Sequence, residues 1–158
     1  MAETTGTSLE TLLATGGGTY APKHALLARA YAAVGRETRF VYVSFRFDDM
    51  PGDFPPDLRV LAHDGVLRAH AALLLRRGDA WLDVDATFDR PLARAAFMVN
   101  DLWDGRSSMP LVVRSMARVE STLGPEHEED LFGLPAHGGF PRAVVGRLNA
   151  WLESVRHP

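Results

Sequence analysis

"HAALLLRRGDAWLDVDAT", residues 70–87, predicts a β-hairpin and decides the fold class of the chain. Two runs rich in Leu, Val and Trp flank a short polar stretch, a pattern that is typical of two strands joined by a turn. If Arg77 and Gly78 form a two-residue turn, His70 lies directly opposite Asp85 on the neighbouring strand. Paired side chains have Cβ atoms about 4.5–5.5 Å apart, so this imidazole and carboxylate can form a hydrogen bond.

The length of the turn decides whether this pair forms. A three-residue loop would move Asp85 to the other face of the hairpin, whereas a four-residue loop would keep the pairing. If the pair forms, the carboxylate fixes the tautomer of His70 and raises its basicity, as in a base and its orienting acid. The alternative is a solvated pair without chemistry. Leu74 and Trp81 would share the face, which indicates that the face is at least partly covered.

Helices are predicted at both ends of the chain and strands between them. Periodicity, caps and turn residues predict these elements: a helix over 8–14 capped by Ser8 or Thr7, a helix from near Pro22 to Gly35, a strand over 38–47, strands over about 67–75 and 80–86, and a helix over about 141–156. We expect loops over 48–57, 90–110 and 123–130, and a strand running into a short helix over 111–119. This order favours an α+β fold.

Each of the two long helices has an apolar stripe. The stripes comprise Leu26, Leu27, Ala30, Tyr31 and Val34 in the first, and Val144, Val145, Leu148, Trp151, Leu152 and Val155 in the second. We expect N-terminal helices packed on an antiparallel sheet. The 158 residues are expected to form one domain, with a core over about 8–120 and a helical extension over about 130–158.

Composition excludes several classes of function. The 158 residues contain no Cys, which rules out disulfides, zinc–thiolate sites and thiol catalysis. A net charge of −3, without runs of like charge, argues against a nucleic-acid binder. Neither a signal sequence nor a membrane span is apparent, so we expect a cytoplasmic protein. The spacing of the His and Glu residues predicts no metal site, and we expect no cofactor.

Two stretches together resemble transglutaminase-like proteins. "GTYAPKHALLARAYAAVGRETRFVYVSF", residues 18–45, is similar to the segment in which a glycine turn delivers a catalytic Cys to the start of a helix. The hairpin over 70–87 resembles the two strands that carry the His and Asp of that family, including the Asp-x-Thr ending. The resemblance covers roughly residues 12–90, about half of the chain.

The resemblance implies a papain-like α+β core and a Cys–His–Asp triad for acyl transfer or amide hydrolysis. It assigns His70 as the base and Asp85 as its orienter, and a gapless alignment puts Tyr20 at the Cys position. In an alternative alignment Ala21 stands there, either naturally or as an engineered replacement of Cys. A phenol with a pKa of about 10, or a methyl group, cannot replace a thiolate.

Several other residues are candidates for binding a ligand in the same cleft. The hydroxyl of Thr19 is expected to cap the helix rather than act as a nucleophile. Lys23 and His24 lie where cations oppose the helix dipole, which indicates an anionic partner such as a ligand carboxylate or Asp83. Ala21, Trp81 and Asp83 are further candidates for binding the ligand. Trp103 is expected to be a buried ring in a turn; alternatively, it lines the wall of the pocket and binds the ligand.

Three functions remain open at this point. The first is a Cys-less pseudoenzyme that binds a peptide, amide or small acid in the degenerate cleft. The second is an enzyme that uses His70 and Asp85, helped by Tyr20, for hydrolysis or proton transfer without a thiol. The third is a protein–protein interaction module. The sequence gives no indication of the oligomeric state.

Overall fold

The computed structural model describes residues 8–63, 65–124 and 142–158. In these ranges the chain forms four α-helices and four strands, in the order α1 (Leu9–Thr15), α2 (Tyr20–Ala33), β1 (Thr38–Arg46), α3 (Pro56–Ala62), β2 (Leu67–Arg77), β3 (Ala80–Val84), β4 (Ala117–Ser121) and α4 (Arg142–Arg156). Two 3₁₀ turns cover Phe47–Asp49 and Arg90–Ala95. No helix of these ranges is both long and apolar enough to cross a membrane.

The strands form one antiparallel sheet in the order β3-β2-β1-β4. Most residues of the central strands β1 and β2 are buried, whereas most residues of the edge strands are at least partly exposed. The predicted α+β class with an antiparallel sheet is therefore confirmed.

The turn of the β2–β3 hairpin lies one residue later than predicted. Arg77 pairs with Ala80, so the turn consists of Gly78 and Asp79. Gly78 has a φ of 59°, and this left-handed conformation suits glycine at the first turn position far better than arginine. The pairing shifts by two residues, which preserves the face of every side chain, because the side-chain period of a strand is two. Asp85 is consequently diagonal to His70 rather than directly opposite it.

Apolar clusters cover both faces of the sheet. One face carries Val41, Val43, Phe45, Ala72 and Leu74, which pack against Val112 and Val113. On the other face Leu73, Leu75 and Val84 pack against α2 through Leu27, Ala28 and Tyr31. A third cluster joins the loops after β1 and β3 to α4, through Phe47, Phe54, Leu58, Leu92, Phe97 and Val144. His70 lies on the first face, opposite Val43 of β1.

Helix α2 begins earlier than predicted and buries a different surface. It starts at Tyr20 rather than near Pro22, and Thr19 is its N-cap. The buried residues of α2 are Ala21, Pro22 and His24, all in its first turns, whereas Val34 is 71% exposed just beyond the last turn. The predicted stripe is therefore only partly right, because the start of α2, and not its end, packs most deeply.

Two further elements differ from the predictions. The loop predicted over 48–57 ends in α3, which begins at Pro56. The segment 111–119 has no helix; it is irregular up to 116 and then enters β4. A valine-rich sequence favours a strand, but Val112 and Val113 pack on one face of the sheet and do not form a strand of it.

Helix α4 agrees with its prediction. It covers Arg142–Arg156, and Val144, Leu148, Trp151, Leu152 and Val155 pack against the third cluster. The predicted linker over 123–130 lies almost wholly outside the described residues, and so does position 141.

Candidate functional site

Three ionisable side chains meet where the start of α2 approaches the ends of β2 and β3. His24 comes from α2, His70 from β2, and Asp85 directly follows the last residue of β3. Their exposed fractions are 0%, 2% and 1%. A charge so deeply buried is stable only if it is paired and hydrogen-bonded. The contacts of Asp85 meet this requirement.

The Asp85 carboxylate accepts four hydrogen bonds. One oxygen, Oδ2, lies 2.9 Å from His70 Nε2 and 3.0 Å from the backbone N of Val112. The other oxygen, Oδ1, lies 2.6 Å from the Thr87 hydroxyl and 3.3 Å from the Thr87 backbone N. Since an ionised carboxylate can only accept, His70 Nε2 must carry a proton. The Nδ1 atom of His70 is therefore the ring nitrogen that is left for exchanging a proton with another group.

The backbone of Asp85 is held as firmly as its side chain. The side-chain amide of Asn100 donates to the Asp85 carbonyl over 2.8 Å, and the Asp85 N–H donates to the sulfur of Met109 over 3.2 Å. Burial alone would raise the pKa of Asp85. The charge and hydrogen bond of His70, together with the hydrogen bond from the Thr87 hydroxyl, outweigh it and hold this pKa well below its usual range.

His24 is a buried neutral imidazole. Its Nε2 accepts a hydrogen bond from the backbone N of Ala86 over 3.0 Å, so the proton of the neutral ring is on Nδ1. The same Nε2 lies 3.7 Å from Asp85 Oδ1. Burial lowers the pKa of His24 to about 4, and the nearby Asp85 charge only partly opposes this effect.

Tyr20 covers His70 at the start of α2. Its ring centroid lies 4.8 Å from that of His70, and its hydroxyl donates to the carbonyl of Ala69 over 3.0 Å. The first residue of α2 thus contacts His70, which in turn bonds to Asp85. The buried Ala21 follows Tyr20 directly.

Lys23 and Thr19 differ from what was expected of them. Lys23 donates to the carbonyl of Thr87 over 2.7 Å, whereas the carboxylate of Asp83, suggested as its partner, pairs with Arg118. Thr19 is an exposed N-cap residue whose hydroxyl makes no capping bond, so the predicted role of this hydroxyl is wrong.

Trp81 and Asp83 contact side chains other than His70 and Asp85. The guanidinium groups of Arg39 and Arg76 lie 4.4 and 6.0 Å from the Trp81 ring centroid. Asp83 forms an ion pair of 2.8 Å with Arg118. Both side chains have structural partners, and the prediction that they line the same pocket as Tyr20 is not supported by these contacts.

Trp103 borders a depression of about 400 Å³, here called the Trp103 depression. It is lined by Val99, Asn100, Leu102, Trp103, Asp104, Ser107, Ser108, Met109 and Pro110. The indole N–H of Trp103 donates to the Ser107 carbonyl over 2.6 Å, which fixes the ring. Asn100 and Met109 contact the backbone of Asp85, so the depression adjoins the buried site from outside.

Some site residues could not be found from the sequence. Val112 and Ala86 contribute backbone N–H groups, which leave no signature in a sequence. Thr87 had a signal, because Thr two residues after Asp can bond back to the carboxylate. Among the described residues, no group of three or more His, Asp or Glu side chains is arranged to hold a metal ion.

Comparisons with protein-family models, curated proteins and solved structures give no match to this chain.

Replacing Asp85 by Asn should destabilise the protein strongly. The amide removes the charge, and its NH₂ group must face donors that now bond to a carboxylate oxygen. We expect Asp85→Asn to lower the free energy of unfolding by about 3 kcal/mol in urea titrations. Asp83→Asn is the matched control, because it breaks a surface ion pair and should cost less than about 1 kcal/mol. Equal losses in the two variants would contradict the central role of Asp85.

Acid should destabilise the protein through His24. The unfolded state binds a proton at His24 near pH 6.5, whereas the folded state binds it only near pH 4. The titration of His24 should therefore lower the free energy of unfolding by about 3 kcal/mol as the pH drops from about 6.5 to about 4. Below that range His24 should cause no further loss. His24→Gln should lose this part of the pH dependence of unfolding, while His157→Gln, at an 80% exposed side chain, should retain it. An unchanged slope in His24→Gln would disprove the assignment.

Proposed function

We propose that this chain is a transglutaminase-like protein without the catalytic Cys, and that it binds a peptide, an amide or a small acid without turning it over. The proposal is supported by the order of contacts at the start of α2: the ring of Tyr20 packs against His70, and His70 bonds to Asp85, which is the order expected of a nucleophile, base and orienter. It is supported equally by the side chain of Tyr20, because a phenol cannot replace the thiolate of a catalytic Cys.

The observation that carries the proposal is the covering of His70. This residue is 2% exposed, it is bonded to Asp85, and its ring lies against Tyr20. A general base must come within hydrogen-bond reach of the proton that it removes. The hydroxyl of Tyr20, whose ring packs against His70, donates to the backbone carbonyl of Ala69. Binding without chemistry agrees better with this geometry than catalysis does.

The Trp103 depression is the ligand site in this proposal. Leu102 is 87% exposed beside the fixed ring of Trp103, which gives an apolar contact surface. Asn100 and the hydroxyls of Ser107 and Ser108 add polar groups, and such a mixture suits an amide or a peptide segment. The alternative of a non-thiol enzyme is favoured by one observation, the orientation of His70 by Asp85.

A peptide titration tests the ligand site. We expect the amide N-acetylglutaminylglycinamide to shift the ¹⁵N-NMR indole signal of Trp103 saturably, while Trp81 and Trp151 stay unchanged. Leu102→Ala should weaken this binding about fivefold through lost apolar contact. Leu13→Ala, at another exposed leucine, is the control and should bind normally. The absence of a saturable shift would refute the site, and cleavage of the peptide detected by mass spectrometry would favour the enzyme alternative.

A restored thiol tests the family resemblance. If Tyr20 occupies the nucleophile position, Tyr20→Cys should create a thiol whose pKa lies below the usual value of about 8.5. The rate of iodoacetamide alkylation against pH measures this, and adding His70→Gln should move the pKa back up. Thr19→Cys, one residue earlier, controls for the helix terminus, and Ala21→Cys tests the alternative alignment. If neither Tyr20→Cys nor Ala21→Cys differs from Thr19→Cys, the triad position is wrong.

A further inference from the structure

The side chains that line the Trp103 depression use their N–H donors on the protein itself. The indole N–H of Trp103 donates to the Ser107 carbonyl over 2.6 Å. Both hydrogens of Asn100 Nδ2 are used as well, one on the Asp85 carbonyl over 2.8 Å and the other on the Pro110 carbonyl over 3.1 Å. Among the described residues that line the depression, no side-chain N–H is therefore left to donate to a ligand.

Acceptor oxygens, in contrast, are left on the same lining. The two bonds of Nδ2 fix the plane of the Asn100 amide, and its Oδ1 has no hydrogen-bond partner within the described ranges. Oδ1 of Asp104 accepts from the backbone N of Arg106, the backbone N of Ser107 and the Ser107 hydroxyl, over 2.7, 3.0 and 3.1 Å. The other carboxylate oxygen, Oδ2, has no hydrogen-bond partner in the part of the chain that the structure describes.

Asp104 gives the depression a negative charge. The hydrogen bonds from the backbone N–H groups of Arg106 and Ser107 lower the pKa of Asp104, and the charge of Arg77 adds to this effect. The Arg77 guanidinium donates to the Gly105 carbonyl over 2.8 Å, so Arg77 neighbours the depression without lining it. An anionic ligand would face the Asp104 carboxylate, which disfavours the small acids of the proposed function.

The ring of Trp103 adds an attraction for positive charge. It packs against the cluster of Leu73, Leu75, Val84 and Met109 and also borders the depression. A guanidinium or ammonium group close to the face of an indole ring is attracted by the π electrons of the ring. A fixed aromatic ring, an ionised carboxylate and an amide oxygen together are complementary to a ligand that donates hydrogen bonds and carries a positive charge.

We propose that the Trp103 depression binds the guanidinium group of an arginine side chain in a peptide. A guanidinium has N–H donors and no acceptor, and its flat shape suits stacking on an aromatic ring. The compact ammonium of lysine has the same charge but lacks this plane. The inference rests on the proposed function, because it concerns the same depression, and it narrows the peptide, amide or small acid of that proposal to a peptide that contains arginine.

Two ligands of nearly equal shape test this preference. N-acetylarginine amide is charged, whereas N-acetylcitrulline amide has a neutral urea group in place of the guanidinium. Each is titrated into the full chain at pH 7, and the NMR shift of the Trp103 indole signal gives its Kd. We expect the arginine ligand to bind about fivefold more tightly, because the guanidinium adds an ion pair and a cation–π contact. Added salt should reduce this difference.

Two variants with the same change in net charge separate Asp104 from the overall charge of the protein. Asp104→Asn keeps a side-chain oxygen for the hydrogen bonds of the turn and removes the charge. It should reduce the preference for arginine over citrulline from about fivefold to about twofold. Asp101→Asn removes a carboxylate that pairs with Arg90 at 3.3 Å and does not line the depression, so the preference should stay unchanged.

The outcomes distinguish this inference from the proposed function. Equal Kd values for the arginine and citrulline ligands, or an unchanged preference in Asp104→Asn, would overturn the inference. If N-acetylglutaminylglycinamide still shifts the Trp103 signal saturably in that case, the ligand site of the proposed function stands. If none of the three ligands shifts the signal, both proposals are wrong. Should Asp104→Asn fail to fold, the comparison of arginine with citrulline in the native protein remains decisive.

Discussion

The buried carboxylate of Asp85 is the constraint on which the rest of the structure depends. It joins β2 through His70, the segment after β3 through Thr87, and the cover of the sheet through Val112. A buried anion without these donors would cost several kcal/mol, so the three parts of the chain can only pack where their donors converge. The start of α2 is constrained in the same way, because the buried His24 is a neutral ring whose Nε2 accepts a hydrogen bond from the backbone N–H of Ala86.

Much of the fold could be predicted because it depends on local patterns. Periodicity located α1, β1, the β2–β3 hairpin and α4, and a Ser8 side chain caps α1 as expected. The contact between His70 and Asp85 was also predicted, although through an incorrect turn. A register error of two residues leaves every side chain on its face, whereas an error of one residue would have moved Asp85 to the opposite face. The predicted contact was therefore correct although the predicted turn was wrong.

The remainder of the site could not be predicted, since it depends on contacts that are distant in sequence and made by backbone atoms. Nothing in the valine-rich segment 111–113 indicates that one of its N–H groups reaches a carboxylate 27 residues earlier. Trp81 and Asp83 share the hairpin face with Asp85, but Arg39 and Arg118 from other strands engage them. Alternation along a strand predicts a shared face; it does not predict which partners arrive from elsewhere.

The four hydrogen bonds of Asp85 also bear on how such a site changes during evolution. Tyr20 makes none of these four hydrogen bonds, whereas a change at Asp85 affects all of them at once. Selection for a folded protein alone would therefore keep this His–Asp pair, whether or not the pair takes part in chemistry. The presence of such a pair is then a record of architecture and is not by itself a sign of catalysis.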